Sequence, residues 1–206
     1  TIHDIKNWLY IAKEKINEEE LYLTNLDKLI GDGDHGTNMV RGFNAIIDQL
    51  QKESYHTVSD LMLLCARSFM TTVGGASGVL YASAFLMMGK SFQSKKTIDR
   101  DHFLKGLEEA IRAIEHRGNV SYGEKTMLDV WTDVTRLFQQ SKGFPQAEQI
   151  DFVAKKAMEN TRYSLAKKGK AALYEESSIG HIDPGAASAY YLFKSLAKVF
   201  KEKDHE

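Results

Sequence analysis

Apolar residues recur at helical spacing along almost the whole chain, and this periodicity restricts the fold more than any other feature of the sequence. The alternation of apolar and polar residues that is typical of strands is nearly absent, and only two prolines, Pro145 and Pro184, interrupt the pattern. The amphipathic segments have apolar stripes that begin at Ile5, Val40, Leu61, Ala76, Leu104, Met127, Ile150 and Ala189. The spacing therefore predicts an all-α protein of eight helices, about twice as many as a simple bundle contains.

Three of these helices have recognisable starts. The segments Thr57–Asp60 and Thr126–Asp129 have the spacing of a capping box, in which two side chains bond to backbone N–H groups at the helix start. Asp183 before Pro184 combines an N-cap residue with a residue that is favoured at the first helical position. Neither an internal repeat nor a low-complexity linker divides the 206 residues, so we predict a single domain over residues 1–206 with a polar, frayed C-terminal end.

Composition and charge exclude several classes of function. A net charge of −1 leaves no basic surface for nucleic acid or for an anionic membrane. The single cysteine, Cys65, cannot form an internal disulfide and fits a reducing compartment, and no signal peptide is visible at the N-terminus. The uncharged stretch from Ser68 to Gly89 is long enough to span a bilayer, but it is rich in serine, threonine and glycine, so we predict two core helices joined by a glycine turn. We therefore expect a cytoplasmic protein that binds neither nucleic acid nor membrane.

One loop concentrates both charge and glycine. Asp27, Asp32 and Asp34 place three carboxylates within eight residues, and three glycines alternate with the charged groups. Two unit charges about 4 Å apart repel by roughly 4 kcal/mol at an effective dielectric constant near 20, so the cluster needs either full hydration or a bound cation. The glycines permit close backbone approaches, and the helix pattern from Thr37 would turn free N–H groups toward the same loop. Both features favour a metal–phosphate site, and a solvated acidic turn is the alternative.

Two common motifs for ions and phosphates do not fit this chain. If Asp32 is taken as the first residue of a calcium-binding EF-hand loop, the twelfth is Phe43, where a glutamate ligand is required. No Gly-x4-Gly-Lys-Ser/Thr string occurs, so a Walker-type phosphate loop is excluded.

Glycine-rich connections precede every second predicted helix. Besides the acidic loop, they contain the segments Gly74–Gly78, Gly123–Thr126 and Gly180–Gly185. In an up-and-down arrangement of helices, alternate connections lie at the same end. We therefore expect these loops to gather at one mouth, provided that no connection crosses over.

Three residues near these loops each have more than one interpretation. His35 fits a ligand, a donor to phosphate or a surface residue, and Met127 fits either the core or an adenine contact. Lys170 belongs to a basic run that is solvated by default, although one of its lysines near the mouth would neutralise phosphate.

Taken together, four strings resemble the nucleotide-binding (L) subunit family of bacterial dihydroxyacetone kinase. They are Asp27-x4-Asp32-Gly-Asp34-His35-Gly36, Gly74-Gly75-Ala76-Ser77-Gly78, Gly123-Glu-Lys-Thr-Met-Leu-Asp129 and Ser178-Ile-Gly-His-Ile-Asp-Pro-Gly185. The strings occur in the family's order, and the resemblance covers essentially the whole chain. It implies a barrel of eight antiparallel helices in which loops at one end hold a nucleotide.

The resemblance also implies roles for individual residues. Asp27, Asp32 and Asp34 match three ligands of two magnesium ions that face the phosphates of ADP or ATP, and no separate catalytic residue is implied. The residues that match nucleotide contacts are His35, Gly36, Thr37, Asn38, Gly75, Ala76, Ser77, Gly118, Thr126, Met127, Lys170, Asp183, Pro184 and Gly185. Lys170 stands where the family often has arginine, so a bidentate phosphate contact is lost there.

The activity implied by the resemblance is phosphoryl transfer to dihydroxyacetone. In the form that depends on the sugar phosphotransferase system, ADP stays bound and accepts a phosphoryl group from a phosphohistidine on a partner protein. The resulting ATP then phosphorylates dihydroxyacetone held on a separate kinase subunit. We expect this form because nothing in the sequence resembles the substrate-binding half. The alternatives are an ATP-dependent kinase with exchangeable nucleotide, the nucleotide domain of a fatty-acid kinase and a non-catalytic helical module, and a homodimer is left open.

Overall fold

The computed structural model describes residues 1–203, and all of its regular structure in that range is helical. The α-helices, in chain order, are α1 (Ile2–Glu18), α2 (Glu20–Ile30), α3 (His35–Lys52), α4 (Val58–Thr72), α5 (Gly75–Phe92), α6 (Arg100–Gly118), α7 (Met127–Gln140), α8 (Ala147–Asn160) and α9 (Pro184–Lys203). Two 3-10 segments, Thr161–Tyr163 and Lys170–Ser178, lie between α8 and α9. The prediction of an all-α protein is confirmed. The last three residues of the predicted frayed end lie outside the described residues.

The helix that the sequence pattern did not indicate is α2, so the described residues form nine α-helices where eight were predicted. α2 follows α1 after a single residue, Glu19, whose φ of −100° and ψ of 10° interrupt the helix. Leu23 and Leu26 of α2 are buried, but Leu21 and Leu29 are 69% and 51% exposed, so leucines lie on both faces. This mixed pattern hides the amphipathic stripe on which a prediction from periodicity depends.

Eight of the nine helices in the described chain close a ring. α1 packs against α3, α3 against α4, and the succession continues through α5, α6, α7 and α8 to α9, which packs back against α1. α2 packs against α3 and α9. Because successive helices of the ring are neighbours in space, their connections turn back at alternate ends. The connections before α3, α5, α7 and α9 consequently meet at one end of the ring.

The core of the ring is rich in aromatic side chains. Phe69 of α4 is fully buried, and the centroid of its ring lies 5.4 Å from that of Phe43, 5.1 Å from Tyr81 and 5.8 Å from Phe85. Rings at these separations gain edge-to-face and offset contacts in addition to the burial of apolar surface. Phe69 thus links α3, α4 and α5 directly below the glycine turn that joins α4 to α5.

The uncharged stretch and the lone cysteine both belong to this core. Residues Ser68 to Gly89 divide into the end of α4 and most of α5, with Val73 and Gly74 between them, which confirms the predicted pair of helices. Cys65 is buried in α4, and burial raises the pKa of its thiol. Within the described part of the chain, no helix has the length and apolar character needed to cross a bilayer.

The packing of Phe69 leads to a prediction about stability. We expect Phe69→Ala to reduce the free energy of unfolding by about 3–5 kcal/mol, because it leaves a cavity among three aromatic rings. Met70→Ala is the matched control on the same helix, since Met70 is 53% exposed, and it should change stability by no more than about 0.5 kcal/mol. Urea unfolding followed by circular dichroism measures both values, and equal losses would contradict this account of the core.

Candidate functional site

The acidic loop joins α2 to α3 and brings its three carboxylates together. Asp27 lies in α2 and Asp32 and Asp34 lie in the loop, and one carboxylate oxygen from each residue lies within 4.8 Å of the other two. Asp27 is buried, and its Oδ2 accepts hydrogen bonds from the backbone N–H groups of Asp34 at 2.9 Å and His35 at 3.1 Å. Asp32 and Asp34 are exposed. This arrangement offers only carboxylate oxygens, the ligands that a hard divalent cation prefers.

Gly31 is required by the way in which the loop passes over Asp27. A Cβ atom at Gly31 would lie 2.0 Å from Oδ1 of Asp27, so any other residue would displace the carboxylate. Gly36 has a comparable constraint, since a Cβ atom there would lie 2.2 Å from the carbonyl oxygen of Glu20 in α2. The first turn of α3 therefore packs directly on the backbone of α2, which holds the acidic loop between two helix ends.

A cavity of about 470 Å³ opens beside the acidic loop, within the range of small-molecule sites. Its lining includes most of the predicted site residues: Asp27, Asp32, Asp34, His35, Asn38, Gly75, Ala76, Ser77, Gly118, Thr126, Met127, Lys170, Asp183, Pro184 and Gly185. These residues come from all four glycine-rich connections, so the expectation that the loops meet at one mouth is confirmed.

Two predicted residues do not line this cavity. Gly36 faces α2, as its contact with Glu20 requires, and Thr37 is exposed with its hydroxyl donating to Oε1 of Glu20 at 3.4 Å. The motif therefore lies next to the site, but these two residues face α2. The sequence pattern did not indicate this helix. The other two residues of this first turn of α3, His35 and Asn38, do line the cavity.

Part of the cavity wall is apolar and was not predicted. Ile30, Val79, Leu80 and Val120 line it together with Met127. Val79 and Leu80 lie in the predicted helix that begins at Ala76, and a helical pattern alone does not distinguish a core side chain from a cavity wall. Met127 has both roles, because it is 3% exposed and packs in the core while also lining the cavity.

Four helices point their N-terminal ends at the cavity. Their first residues, which all line it, are His35 of α3, Gly75 of α5, Met127 of α7 and Pro184 of α9. The first-turn N–H groups and the helix dipole make each of these ends favourable for an anion. Arg117 and Lys168 also line the cavity, so a region whose charges favour an anion lies beside the three carboxylates.

The 3-10 segment Lys170–Ser178 lies over the acidic loop. Nζ of Lys170 forms an ion pair with Asp32, and the Tyr174 hydroxyl donates to the carbonyl oxygen of Gly31 at 3.2 Å. The side chains of Lys170 and Asp32 are 59% and 44% exposed, so the pair contributes little to stability. The ion pair instead determines a position, because it brings the ammonium group of Lys170 to the rim of the cavity. A phosphate contact was predicted there.

His35 is buried at the base of the cavity. Its Nδ1 lies 3.0 Å from Oγ of Ser77 and its Nε2 lies 2.9 Å from Oγ of Ser188. Burial lowers the pKa of the imidazole to about 4, so the ring is neutral at pH 7. Donation from His35 to a phosphate stays a prediction, and it would require one ring nitrogen to exchange its protein hydroxyl for the phosphate.

Two charged side chains are buried beneath the closing loop. Asp183 accepts a hydrogen bond from the Ala186 N–H at 2.7 Å, as its predicted role as N-cap of α9 requires, and burial raises the pKa of its carboxyl to about 7. Lys125 is 1% exposed, and its Nζ donates to the carbonyl oxygens of Thr161, at 2.6 Å, and His181. The sequence did not indicate a buried lysine, because its two partners are distant in the chain.

The fold and the site together define an all-helical domain in which an acidic loop and four helix N-termini surround one cavity. Residues 29–198 match the family model described as the DAK2 domain, and the chain belongs to this family. The family resemblance carried by the four strings is therefore confirmed.

Individual relatives agree with this assignment. The chain is 41% identical over 204 residues to "PTS-dependent dihydroxyacetone kinase, ADP-binding subunit DhaL" of Lactococcus lactis subsp. lactis (strain IL1403), covering 97% of this chain and 98% of that protein. It is 33% identical over 203 residues to "PEP-dependent dihydroxyacetone kinase, ADP-binding subunit DhaL" of Escherichia coli (strain K12), covering 96% and 97%.

A solved structure has the same fold. The crystal structure of the dihydroxyacetone kinase from C. freundii in complex with AMP-PNP and Mg2+ matches with a TM-score of 0.74 and 21% sequence identity. The match covers 93% of this chain and 33% of that one, so this chain spans about a third of the length of that kinase.

The raised pKa of Asp183 leads to a prediction about pH. Between the ordinary carboxyl pKa of 3.8 and the folded value of about 7, the folded state keeps a proton that the unfolded state has lost, so stability falls as the pH rises through this window. We expect Asp183→Asn, which keeps an N-cap side chain but removes the charge, to be more stable than the unaltered protein at pH 8, by roughly 2–4 kcal/mol.

Thermal unfolding at several pH values measures this difference, which should shrink as the pH falls toward 4. Asp101→Asn is the matched control, since the Asp101 side chain is 84% exposed and should show no such pH-dependent gain. A uniform loss of stability in Asp183→Asn at every pH would contradict the assignment of a buried, destabilising charge.

Proposed function

We propose that this chain is the nucleotide-binding subunit of a dihydroxyacetone kinase that depends on the phosphoenolpyruvate phosphotransferase system. Tightly bound ADP accepts a phosphoryl group from a phosphohistidine on a partner protein, and the ATP so formed phosphorylates dihydroxyacetone held on a separate subunit. The names of the Lactococcus and Escherichia relatives support this proposal, because the chain covers 98% and 97% of those proteins.

The observation that carries the proposal is the position of three carboxylates at the edge of a cavity with an apolar wall. Asp27, Asp32 and Asp34 offer oxygen ligands within 4.8 Å of one another, and we assign them to two magnesium ions. The fit is supported by Gly31, whose missing side chain leaves Oδ1 of Asp27 unobstructed. Bound magnesium supplies neutralisation of phosphate charge.

The protein's own residues bind and orient the nucleotide. The first turns of α3, α5, α7 and α9 favour the diphosphate, and Leu80, Val120 and Met127 form an apolar wall for the base. Phosphoryl transfer depends more on positioning and charge neutralisation than on covalent chemistry by the protein. We therefore assign no catalytic residue separate from the metal and nucleotide ligands.

Two partners follow from this reaction. One is a dihydroxyacetone-binding kinase subunit, and the other is a phosphohistidine-carrying subunit of the phosphotransferase system. Each has to reach the phosphates through the same mouth of the cavity, so the two partners bind in turn. The proposed setting is the cytoplasm, and neither nucleic acid nor membrane takes part.

The proposed metal ligands lead to a prediction about activity. We expect Asp32→Ala to reduce phosphoryl transfer at least about 100-fold in both directions, because loss of one ligand removes charge neutralisation from the transferred group. Helical circular dichroism should be unchanged, since Asp32 is exposed. The assay uses the purified chain with its two partner subunits and magnesium.

Asp101→Ala is the matched control for this variant. Asp101 is also an exposed aspartate, but it lies in the first turn of α6, at the opposite end of that helix from Gly118. It should retain full transfer. Full activity in Asp32→Ala would refute the metal assignment.

Retention of the nucleotide separates the proposal from its alternatives. We expect native mass spectrometry of the protein after extensive dialysis in magnesium to detect bound ADP, because a resident cofactor does not exchange with the medium. Rapid loss of ADP would favour the ATP-dependent form with exchangeable nucleotide. The identity of the subunit that co-purifies distinguishes a dihydroxyacetone-binding partner from the acyl-binding partner of a fatty-acid kinase.

A further inference from the structure

A continuous chain of polar contacts runs from His35 and Ser77, which line the cavity, to Ser188 and Tyr81, which do not. Ser77 contacts Nδ1 of His35, Nε2 of His35 lies 2.9 Å from Oγ of Ser188, and Oγ of Ser188 lies 2.9 Å from the hydroxyl of Tyr81. Ser188 and Tyr81 are both fully buried. The Ser188 hydroxyl also donates to the carbonyl oxygen of Gly185 at 3.0 Å.

The four contacts are all hydrogen bonds only if Nε2 of His35 carries a proton. The carbonyl oxygen of Gly185 can only accept, so the single hydroxyl proton of Ser188 is directed to it. The Ser188 oxygen then accepts from the Tyr81 hydroxyl and from His35, whose proton is therefore on Nε2. In a neutral ring Nδ1 is then an acceptor, and Ser77 donates its hydroxyl proton to it.

This chain connects three of the loops that form the cavity. His35 begins α3 after the acidic loop, Ser77 lies in the first turn of α5, and Ser188 lies in the second turn of α9 after the closing loop. The contacts span 153 residues between His35 and Ser188 and 107 between Tyr81 and Ser188. His35 and Ser77 join α3 to α5 directly, and the hydroxyl of Ser188 joins α9 to both.

We propose that Ser188 and Tyr81 are positioning residues for the phosphate side of the site. Their hydroxyls hold the His35 ring in one orientation, with the proton on Nε2. The fixed ring orients the Ser77 hydroxyl. The same contacts keep the first turns of α3, α5 and α9 in fixed relative positions around the diphosphate. The functional part of this inference rests on the proposed nucleotide site, whereas the arrangement of protons does not depend on any ligand.

The first test is the protonation pattern of His35 in the full chain. With 15N-labelled histidine, and with the His35 signals assigned by comparison with His35→Asn, we expect a proton on Nε2 of His35. The pattern should be retained in Ser195→Ala and altered in Ser188→Ala, toward protonation on Nδ1 or a mixture of the two forms.

Ser195→Ala is the matched control. Ser195 is buried on the same helix, and its Oγ donates to the carbonyl oxygen of Tyr191 at 2.8 Å, which resembles the bond from Ser188 to Gly185. Both substitutions remove a buried hydroxyl and a bond to the preceding helical turn. A role of Ser188 confined to its bond with Gly185 would therefore give the two variants the same properties.

The second test is the affinity for ADP in magnesium chloride, measured by isothermal titration calorimetry after nucleotide removal. We expect Ser188→Ala to bind roughly tenfold or more weakly than Ser195→Ala, since it leaves two buried donors without an acceptor. Tyr81→Phe should bind about threefold more weakly than the unaltered protein, and it replaces Ser188→Ala as the test if that variant does not fold.

Two results would overturn the inference. One is the absence of a proton on Nε2 of His35 in the unaltered protein. The other is an unaltered affinity for ADP in both Ser188→Ala and Tyr81→Phe. Failure of the unaltered protein to bind ADP would instead refute the proposed function, and the His35 measurement would still decide the arrangement of protons.

Discussion

The repulsion among Asp27, Asp32 and Asp34 is the constraint on which the rest of the structure depends. Their oxygens lie within 4.8 Å of one another, so their charges repel unless water, a cation or nearby hydrogen-bond donors compensate. Part of it comes from the backbone, because Asp27 accepts hydrogen bonds from the N–H groups at the start of α3. The ion pair of Lys170 with Asp32 supplies a further part, and the cation proposed above would supply the rest.

The ring of helices gives this loop its surroundings. Because connections alternate between the two ends, the N-termini of α3, α5, α7 and α9 meet at the end that carries the carboxylates. Four positive helix ends close together oppose one another unless an anion lies among them. A magnesium–diphosphate unit carries charges of both signs, and it would satisfy the carboxylates and the helix ends together.

The buried charges beneath the site lower stability, and the aromatic core compensates for them. Burial raises the pKa of Asp183 to about 7 and lowers the pKa of Lys125, so each charged form is disfavoured where it lies. Both side chains nevertheless bond to backbone groups of neighbouring segments, Asp183 to α9 and Lys125 to the Thr161 and His181 carbonyls. These hydrogen bonds hold the loops around the cavity in place. The buried charged groups that make them reduce the stability of the folded state.

The sequence alone determined the helical class, most helix positions and the acidic loop, because apolar periodicity, capping residues and the spacing of Asp27, Asp32 and Asp34 are local properties of the chain. It did not indicate α2, whose exposed Leu21 and Leu29 obscure its buried stripe. The tertiary structure alone decided that Gly36 faces α2 and that Lys125 is buried. It also decided that Ser188 meets His35, 153 residues away. Contacts of this kind depend on which helix ends the closed ring brings together. A local pattern of residue types does not encode which distant residues become neighbours in space.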